Sequence, residues 1–261
     1  MCNKFFCCLL LLLLTTHAYA LCQADLVEKL EKVFIKTMNS PIEFENSQIF
    51  QLLGYDNNDL SAISRVTPMP ESIKVEIELD TECGRFKKVR VTTNQVRYYG
   101  LNLQQAVFEF PDSVICLQSL EKGLLRFLAV EKINLQTKVS ESNLLKVFEM
   151  FAAARSLYNL KISLRRNRAQ IRGRLRRGLF VVQFNVQGNA VIANNRQINF
   201  DCSRIVLNNR PLPRSTVRSM FSSINPVFDS TDAWLNLKLH DVKIINGYVE
   251  TTATIERKKG S

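Results

Sequence analysis

Apolar and polar residues alternate with a period of two along several stretches of this chain, which is the pattern of β-strands with one buried face. The clearest such stretches are 74–80, 158–164, 169–176 and 234–240. Two further segments carry apolar residues at the helical period, and they follow Ser140, a good N-cap, and Pro213, which suits a first helical turn. Asn246 and Gly247 predict a two-residue hairpin turn near the end of the chain.

From this pattern we expect a single α+β domain in which long amphipathic helices pack against a strongly curved antiparallel β-sheet. An N-terminal helix is expected over 24–38, followed by a less regular stretch that is rich in turn residues. The expected segments are a leader over 1–20, an N-terminal helix and linker over 21–70, an α+β body over 71–256 and a charged tail over 257–261.

The first twenty residues have the organisation of a secretory signal peptide. Lys4 forms a short basic region, Phe5 to Leu14 form an apolar run, and Ala18-Tyr19-Ala20 fits a cleavage site after Ala20. We therefore expect a secreted or periplasmic protein, and an uncleaved N-terminal anchor is the alternative. No later stretch of the sequence is long and apolar enough to span a bilayer.

The chain is basic, with a formal net charge of +11 that falls by one if the leader is removed with Lys4. Such an excess favours anionic partners, such as a lipid surface or acidic glycans. Nucleic acid is the least natural of the anionic partners for an exported protein, and we expect none.

Three of the seven cysteines lie in the leader, and four lie beyond it. The four are Cys22, Cys83, Cys116 and Cys202. A disulfide between Cys83 and Cys116 is the candidate pairing, and buried free thiols are the equally weighted alternative. No pair has CxxC spacing and one histidine remains beyond the leader, so we expect neither a metal site nor a cofactor.

The sequence offers little catalytic chemistry. Ser119 to Lys122 match an S-x-x-K pattern, but the companion motifs of that enzyme class are absent. His240 precedes Asp241 on an expected strand, where neighbouring side chains point to opposite faces, and a solvated strand-end histidine is the simpler interpretation. We expect a protein without enzymatic activity; a hydrolase would need a site that the sequence does not reveal.

Seven arginines and no acidic residue lie between Arg165 and Arg177. On a strand, the alternation of arginines with Ile171, Gly173 and Leu175 would give one cationic and one apolar face. Guanidinium groups suit phosphates, and the residues expected to contact a lipid headgroup or membrane are Arg172, Arg174, Arg176 and Arg177. An edge strand protected by charge against aggregation is the equally weighted alternative.

The apolar stripes of the two later helices are candidates for the wall of an acyl-chain groove. The residues concerned are Phe148, Phe151, Val217, Met220, Phe221 and Ile224. Such stripes are more often ordinary core, but helices over a curved sheet can also enclose an apolar channel.

The C-terminal two-thirds of the chain resembles the LmeA-like bacterial phospholipid-binding family. The resemblance lies in the helix start at Val139 to Leu144, in Leu212-Pro213 before a later helix, and in the closing hairpin from Val242 to Tyr248. It spans roughly Lys74 to Ile255 and implies a fold related to the tubular lipid-binding (TULIP) superfamily, with a lipid groove, an exported setting and no catalytic residues. The cysteines, the arginine cluster and the segment from 41 to 70 depart from the family pattern.

Together, these features predict a secreted or periplasmic lipid-binding or lipid-transfer protein. It would hold phospholipid acyl chains in an apolar groove and would face anionic headgroups with its arginines. The alternative is a structural or assembly protein of the cell envelope that binds an acidic partner through the basic face.

Overall fold

A computed structural model describes residues 25–40, 48–53, 70–80, 84–98, 101–152, 156–222, 225–231 and 237–257. The leader expected over 1–20 and the tail from 258 therefore lie outside the described residues. Strands account for 59% of the described residues. None of the helices within these ranges is long and apolar enough to cross a bilayer.

The helices are short. They are α1 (25–39), α2 (Ile49–Leu52), α3 (Leu117–Glu121), α4 (Glu141–Ala152) and α5 (Arg214–Ser222).

The strands form two antiparallel sheets. In chain order they are β1 (Ser72–Leu79), β2 (Arg85–Tyr98), β3 (Leu101–Ile115), β4 (Phe127–Ala129), β5 (Lys132–Ser140), β6 (Leu157–Arg165), β7 (Arg168–Arg177), β8 (Phe180–Ala193), β9 (Gln197–Leu207), β10 (Arg210–Pro211), β11 (Phe228–Asp229), β12 (Leu237–Ile245) and β13 (Tyr248–Glu256). Sheet A has seven strands in the order β1-β2-β3-β5-β13-β12, with β4 paired to β3. Sheet B has six strands in the order β10-β9-β8-β7-β6, with β11 paired to β9.

The expected fold class is therefore wrong. Two antiparallel sheets dominate the described chain, and short helices replace the long amphipathic helices expected over one curved sheet. The last helix shows the reason: α5 ends at Ser222, before Pro226, whose missing N–H and ring exclude it from a helix interior. Phe228, four residues beyond Ile224 and therefore in phase with the expected stripe, instead pairs with Ile198 in sheet B.

The largest apolar core lies between α1 and the first strands of sheet A. Phe34 of α1 meets Phe110 and Phe127 with ring centroids 6.1 and 6.4 Å apart, and all three rings are almost completely buried. Tilted and edge-on aromatic pairs at these distances add about 0.5–1.5 kcal/mol beyond the burial of their area. The amphipathic helix expected over 24–38 is thus confirmed, and its apolar stripe closes one end of sheet A.

Carboxylates of two helices bind outward-facing backbone N–H groups of edge strands. Glu31 of α1 accepts a hydrogen bond from the Val75 N–H of β1 at 3.0 Å. Glu141 of α4 accepts one from the Leu164 N–H of β6 at 2.7 Å. Unpaired edge groups invite pairing with another chain, so these carboxylates protect β1 and β6.

The two sheets meet where three chain reversals come together. The Gly247 N–H donates to Leu164 O at 3.0 Å, and the Asn167 N–H donates to Ile244 O at 2.8 Å. The Glu141 N–H donates to Gly247 O at 2.9 Å, which adds the start of α4 to the same group. We call this group the turn junction; it links the β5–α4, β6–β7 and β12–β13 connections through backbone atoms.

Ser140 caps α4 as the sequence predicts, because its Oγ accepts a hydrogen bond from the Asn143 N–H at 3.2 Å. Both residues are buried. We expect Ser140→Ala to lower the free energy of unfolding by about 1 kcal/mol, the usual cost of losing an N-cap. Urea unfolding followed by circular dichroism measures this change. Lys146→Ala, on the exposed side of the same helix, is the control and should change it by less than about 0.5 kcal/mol; an equal loss in both variants would contradict the capping role.

Candidate functional site

The arginine-rich strand belongs to a long hairpin formed by β7 and β8. Arg177 pairs with Phe180 and Arg176 with Val181, so Gly178 and Leu179 form the two-residue turn. Gly178 has a φ of +62°, a left-handed conformation that glycine adopts without a steric penalty. We call residues 172–181 the arginine hairpin.

Alternation along β7 separates its two faces as the sequence predicts. Arg172, Arg174 and Arg176 are exposed, whereas Gly173 between them is buried. A Cβ at Gly173 would lie 2.7 Å from both Leu160 Cδ2 and Phe184 Cζ, so those two side chains already fill the inner face. The close approach explains why glycine interrupts the arginines and why the arginines point outward.

β7 is an interior strand of sheet B, with β6 on one side and β8 on the other. Tyr158 pairs with Arg174 from β6, and Gln183 pairs with Arg174 from β8. The charge-protected edge strand, one of the two interpretations of the arginines, is therefore wrong. Protection against edge pairing cannot account for charges on a strand that has no free edge.

The exposed arginines have no acidic partner in the part of the chain that the structure describes. Arg172 Nη2 donates to Gln170 Oε1 at 3.1 Å, and Lys161 lies opposite Arg172 on β6. No carboxylate forms an ion pair with Arg172, Arg174 or Arg176 within those residues. Arg177 occupies the last position of β7, but its side chain lies outside the description.

The turn of the hairpin is apolar and open to solvent. Leu179 is 95% exposed, Phe180 77% and Val181 46%. Sequence analysis missed this feature because it considered the arginines up to Arg177 and not the residues that follow them. The local sequence Arg-Arg-Gly-Leu-Phe carries the signal: large apolar residues follow a turn glycine directly, where polar residues usually stand.

The described residues among those expected to line an acyl groove do not converge. On α4, Phe148 is 42% exposed, and the side chain of Phe151 lies outside the description. On α5, Val217 is buried, Met220 is 44% exposed and the Phe221 ring lies 5.5 Å from that of Phe200 on β9. Ile224 lies outside the described residues. α4 packs against β6, β3 and β5, whereas α5 packs against β9, so the two stripes serve different parts of the fold.

A cavity of about 200 Å³ lies elsewhere, on the face of sheet A formed by β3, β5, β13 and β12. The described groove candidates, Phe148 of α4 and Val217, Met220 and Phe221 of α5, do not line it. Its volume is below the ~300–1,000 Å³ typical of pockets for drug-sized ligands. His240 belongs to its lining, with Nε2 2.5 Å from Thr254 Oγ1. The exposed His240 expected from the sequence thus has a hydrogen-bond partner on the neighbouring strand that the sequence did not reveal.

Cys116 and Cys202 form no disulfide with another described residue, and Cys83 and Cys22 lie outside the described residues. The pairing of Cys83 with Cys116 stays a prediction. Hydrogen bonds from the side chain and backbone of Ser119 lower the pKa of the Cys116 thiol, whereas burial raises the pKa of Cys202. Within the described ranges, no group of three or more histidine, cysteine, aspartate or glutamate residues could hold a metal ion.

No family model, curated protein or solved structure matches this chain. The arginine hairpin and the cavity on sheet A are therefore interpreted from their own geometry.

The exposure of the tip predicts that it contributes little to folding. We expect Leu179→Ser combined with Phe180→Ser to change the free energy of unfolding by less than about 0.5 kcal/mol, the usual range for surface positions. Leu164→Ala, at a buried position of the same sheet, should cost about 2–5 kcal/mol. Thermal or urea unfolding compares the three proteins. A large loss of stability in the tip variant would show that these side chains pack against other parts of the chain.

Proposed function

We propose that this protein is an exported, non-enzymatic lipid-binding protein that attaches to anionic membrane surfaces through the arginine hairpin. The observation that carries the proposal is the combination, on one hairpin, of exposed Leu179 and Phe180 at the turn with exposed arginines behind them. Exposed apolar residues next to basic residues are the two signals that interfacial binding needs. The resemblance to a phospholipid-binding family points to the same class of ligand.

The energetics favour a membrane that offers both an apolar interior for the tip and anionic headgroups for the arginines. Burying an exposed leucine or phenylalanine side chain contributes about 1.5–3 kcal/mol, and each basic residue near an anionic bilayer about 1 kcal/mol. Either contribution alone gives weak and reversible attachment once the loss of translational and rotational freedom is counted. Leu179, Phe180 and two arginines together contribute about 5–8 kcal/mol before that loss is counted, which is more than either component supplies alone.

The spacing along β7 sets which arginines reach the headgroups. Strand residues advance by about 3.3 Å each, so Arg176 lies about 10 Å behind Leu179 and Arg172 about 23 Å behind it. Interfacial segments penetrate about 5–10 Å, and electrostatic attraction fades over a Debye length of about 8 Å at physiological salt. With the tip inserted, residues 176 and 177 lie at headgroup depth and Arg172 lies beyond it.

Removal of the apolar tip should abolish most of the attachment. We expect Leu179→Ser combined with Phe180→Ser to weaken binding to mixed phosphatidylcholine–phosphatidylglycerol vesicles at least about tenfold. Vesicle co-sedimentation measures the partition coefficient. Val227→Ser removes another exposed apolar side chain, one that is 53% exposed near α5, and should leave binding unchanged. Equal binding by wild type and tip variant would refute insertion of the hairpin.

Position along the strand should rank the arginines. We expect Arg176→Gln to weaken binding to the same vesicles about fivefold, the equivalent of ~1 kcal/mol, and Arg172→Gln to weaken it by less than about twofold. Lys122→Gln, an exposed basic residue next to α3, is the control. Binding should also fall as salt rises and should be weaker on phosphatidylcholine alone. If Arg172→Gln and Arg176→Gln weakened vesicle binding equally, an orientation with the tip inserted and β7 pointing away from the membrane would be excluded.

The alternative, an assembly protein that grips an acidic partner, is favoured by the unpaired arginines but not by the apolar tip. This alternative is tested with a soluble polyanion such as heparin. It predicts that the tip variant binds heparin as tightly as the wild type does, whereas the arginine variants lose heparin binding.

Retention of acyl chains against α4 and α5 stays a prediction, and mass spectrometry of organic extracts from the purified protein tests it.

A further inference from the structure

The cavity on sheet A is built from two neighbouring rows of residues across three paired strands. Glu109 of β3 pairs with Asn134 of β5, which pairs with Thr254 of β13. Two residues further along each strand, Val107 pairs with Gln136, and Gln136 pairs with Thr252. Side chains two residues apart on a strand share a face, so both rows project into the same space.

A bulge in β12 adds the histidine. Leu239 pairs with Ala253 and Asp241 with Thr252, which leaves His240 as the extra residue between them. A bulge re-aims the side chain of its extra residue, and here it brings His240 Nε2 to 2.5 Å from Thr254 Oγ1. The imidazole therefore closes one side of the cavity.

Several polar groups of the lining have capacity to bind a ligand. Asn134 Nδ2 donates to Glu109 Oε1 at 3.2 Å, which fixes both side chains and leaves the amide oxygen and the second carboxylate oxygen available. The side chains of Gln136 and Thr252 have no hydrogen-bond partner among the described residues. Val107 provides an apolar patch in the lining that is only 7% exposed.

The charge of the lining limits the class of ligand. Among the described residues that line the cavity, Glu109 is the only acidic one, and none is a lysine or an arginine. A phosphate or carboxylate would face Glu109 without a cationic clamp, and such uncompensated like charges are unfavourable. Amide, hydroxyl and carboxylate groups that alternate as donors and acceptors match the hydroxyl groups of a neutral molecule. At liquid density about 200 Å³ holds roughly six or seven waters, which one sugar ring can displace.

We propose that this cavity is a binding site for a neutral polyhydroxylated molecule of monosaccharide size. Glu109, Asn134, Gln136 and Thr252 bind its hydroxyl groups, His240 borders it, and Val107 contacts its carbon skeleton. The site is separate from the arginine hairpin, which belongs to the other sheet.

Ligand-observed and amide-observed NMR on the whole protein test the proposal with glucose, galactose, N-acetylglucosamine and glycerol. We expect saturable binding of at least one sugar with a dissociation constant of ~1–10 mM and amide shifts confined to the two rows. Thr252→Val should weaken that binding about threefold to tenfold through one lost hydrogen bond. Thr92→Val is the matched control. Thr92 lies on β2 and pairs with Val107 of β3, but it does not line the cavity.

Glucose 6-phosphate and tetramethylammonium serve as charged probes. Glucose 6-phosphate should bind the wild type more weakly than glucose does. In Glu109→Gln the affinities of the two compounds should lie closer together. Absence of binding by every neutral probe up to about 50 mM would overturn the proposal. So would binding of a charged probe alone, or equal effects of Thr252→Val and Thr92→Val. Vesicle binding is measured separately, so failure of either proposal leaves the other intact.

Discussion

The turn junction is the constraint on which the rest of the architecture depends. Elsewhere in the described residues the backbones of the two sheets meet where the Leu239 N–H of β12 donates to Asn195 O of the β8–β9 turn at 2.7 Å. The three backbone bonds at Leu164, Asn167 and Gly247 fix the ends of β6 and β12 relative to each other. They also place the start of α4, whose Leu144 packs against one apolar cluster of sheet A and against the cluster that joins both sheets.

This anchoring explains why the arginine hairpin projects. The β6–β7 turn at Arg166 and Asn167 lies at the junction, and β7 runs away from it for ten residues. Ten strand residues span about 33 Å, so the turn at Gly178 and Leu179 lies at the far end of sheet B. A long hairpin fixed at one end presents its opposite end to solvent, which is where the exposed apolar residues stand.

Local signals in the sequence predicted local structure well, and tertiary arrangement poorly. The N-cap at Ser140, the hairpin turn at Asn246-Gly247 and the alternation along β7 depend on neighbouring residues, and the structure confirms them. The fold class failed because periodicity says which face is buried but not which strands pair, or whether they form one sheet or two. The cavity escaped notice because Glu109, Asn134 and Thr254 come together only through the pairing of strands far apart in sequence.

Periodicity also does not show whether the arginine-rich strand lies at an edge or inside a sheet, and the role of the arginines depends on that position. Arg172, Arg174 and Arg176 lie about 6.7 Å apart along β7, and Lys161 stands opposite Arg172 with the same charge. Like charges at this spacing repel by about 0.6 kcal/mol per pair in water, and directly opposed like charges destabilise a sheet. An interior strand gains no protection from that repulsion, so folding alone does not favour the arrangement. Anionic headgroups at the tip, as proposed above, would offset the repulsion between the arginines nearest to it.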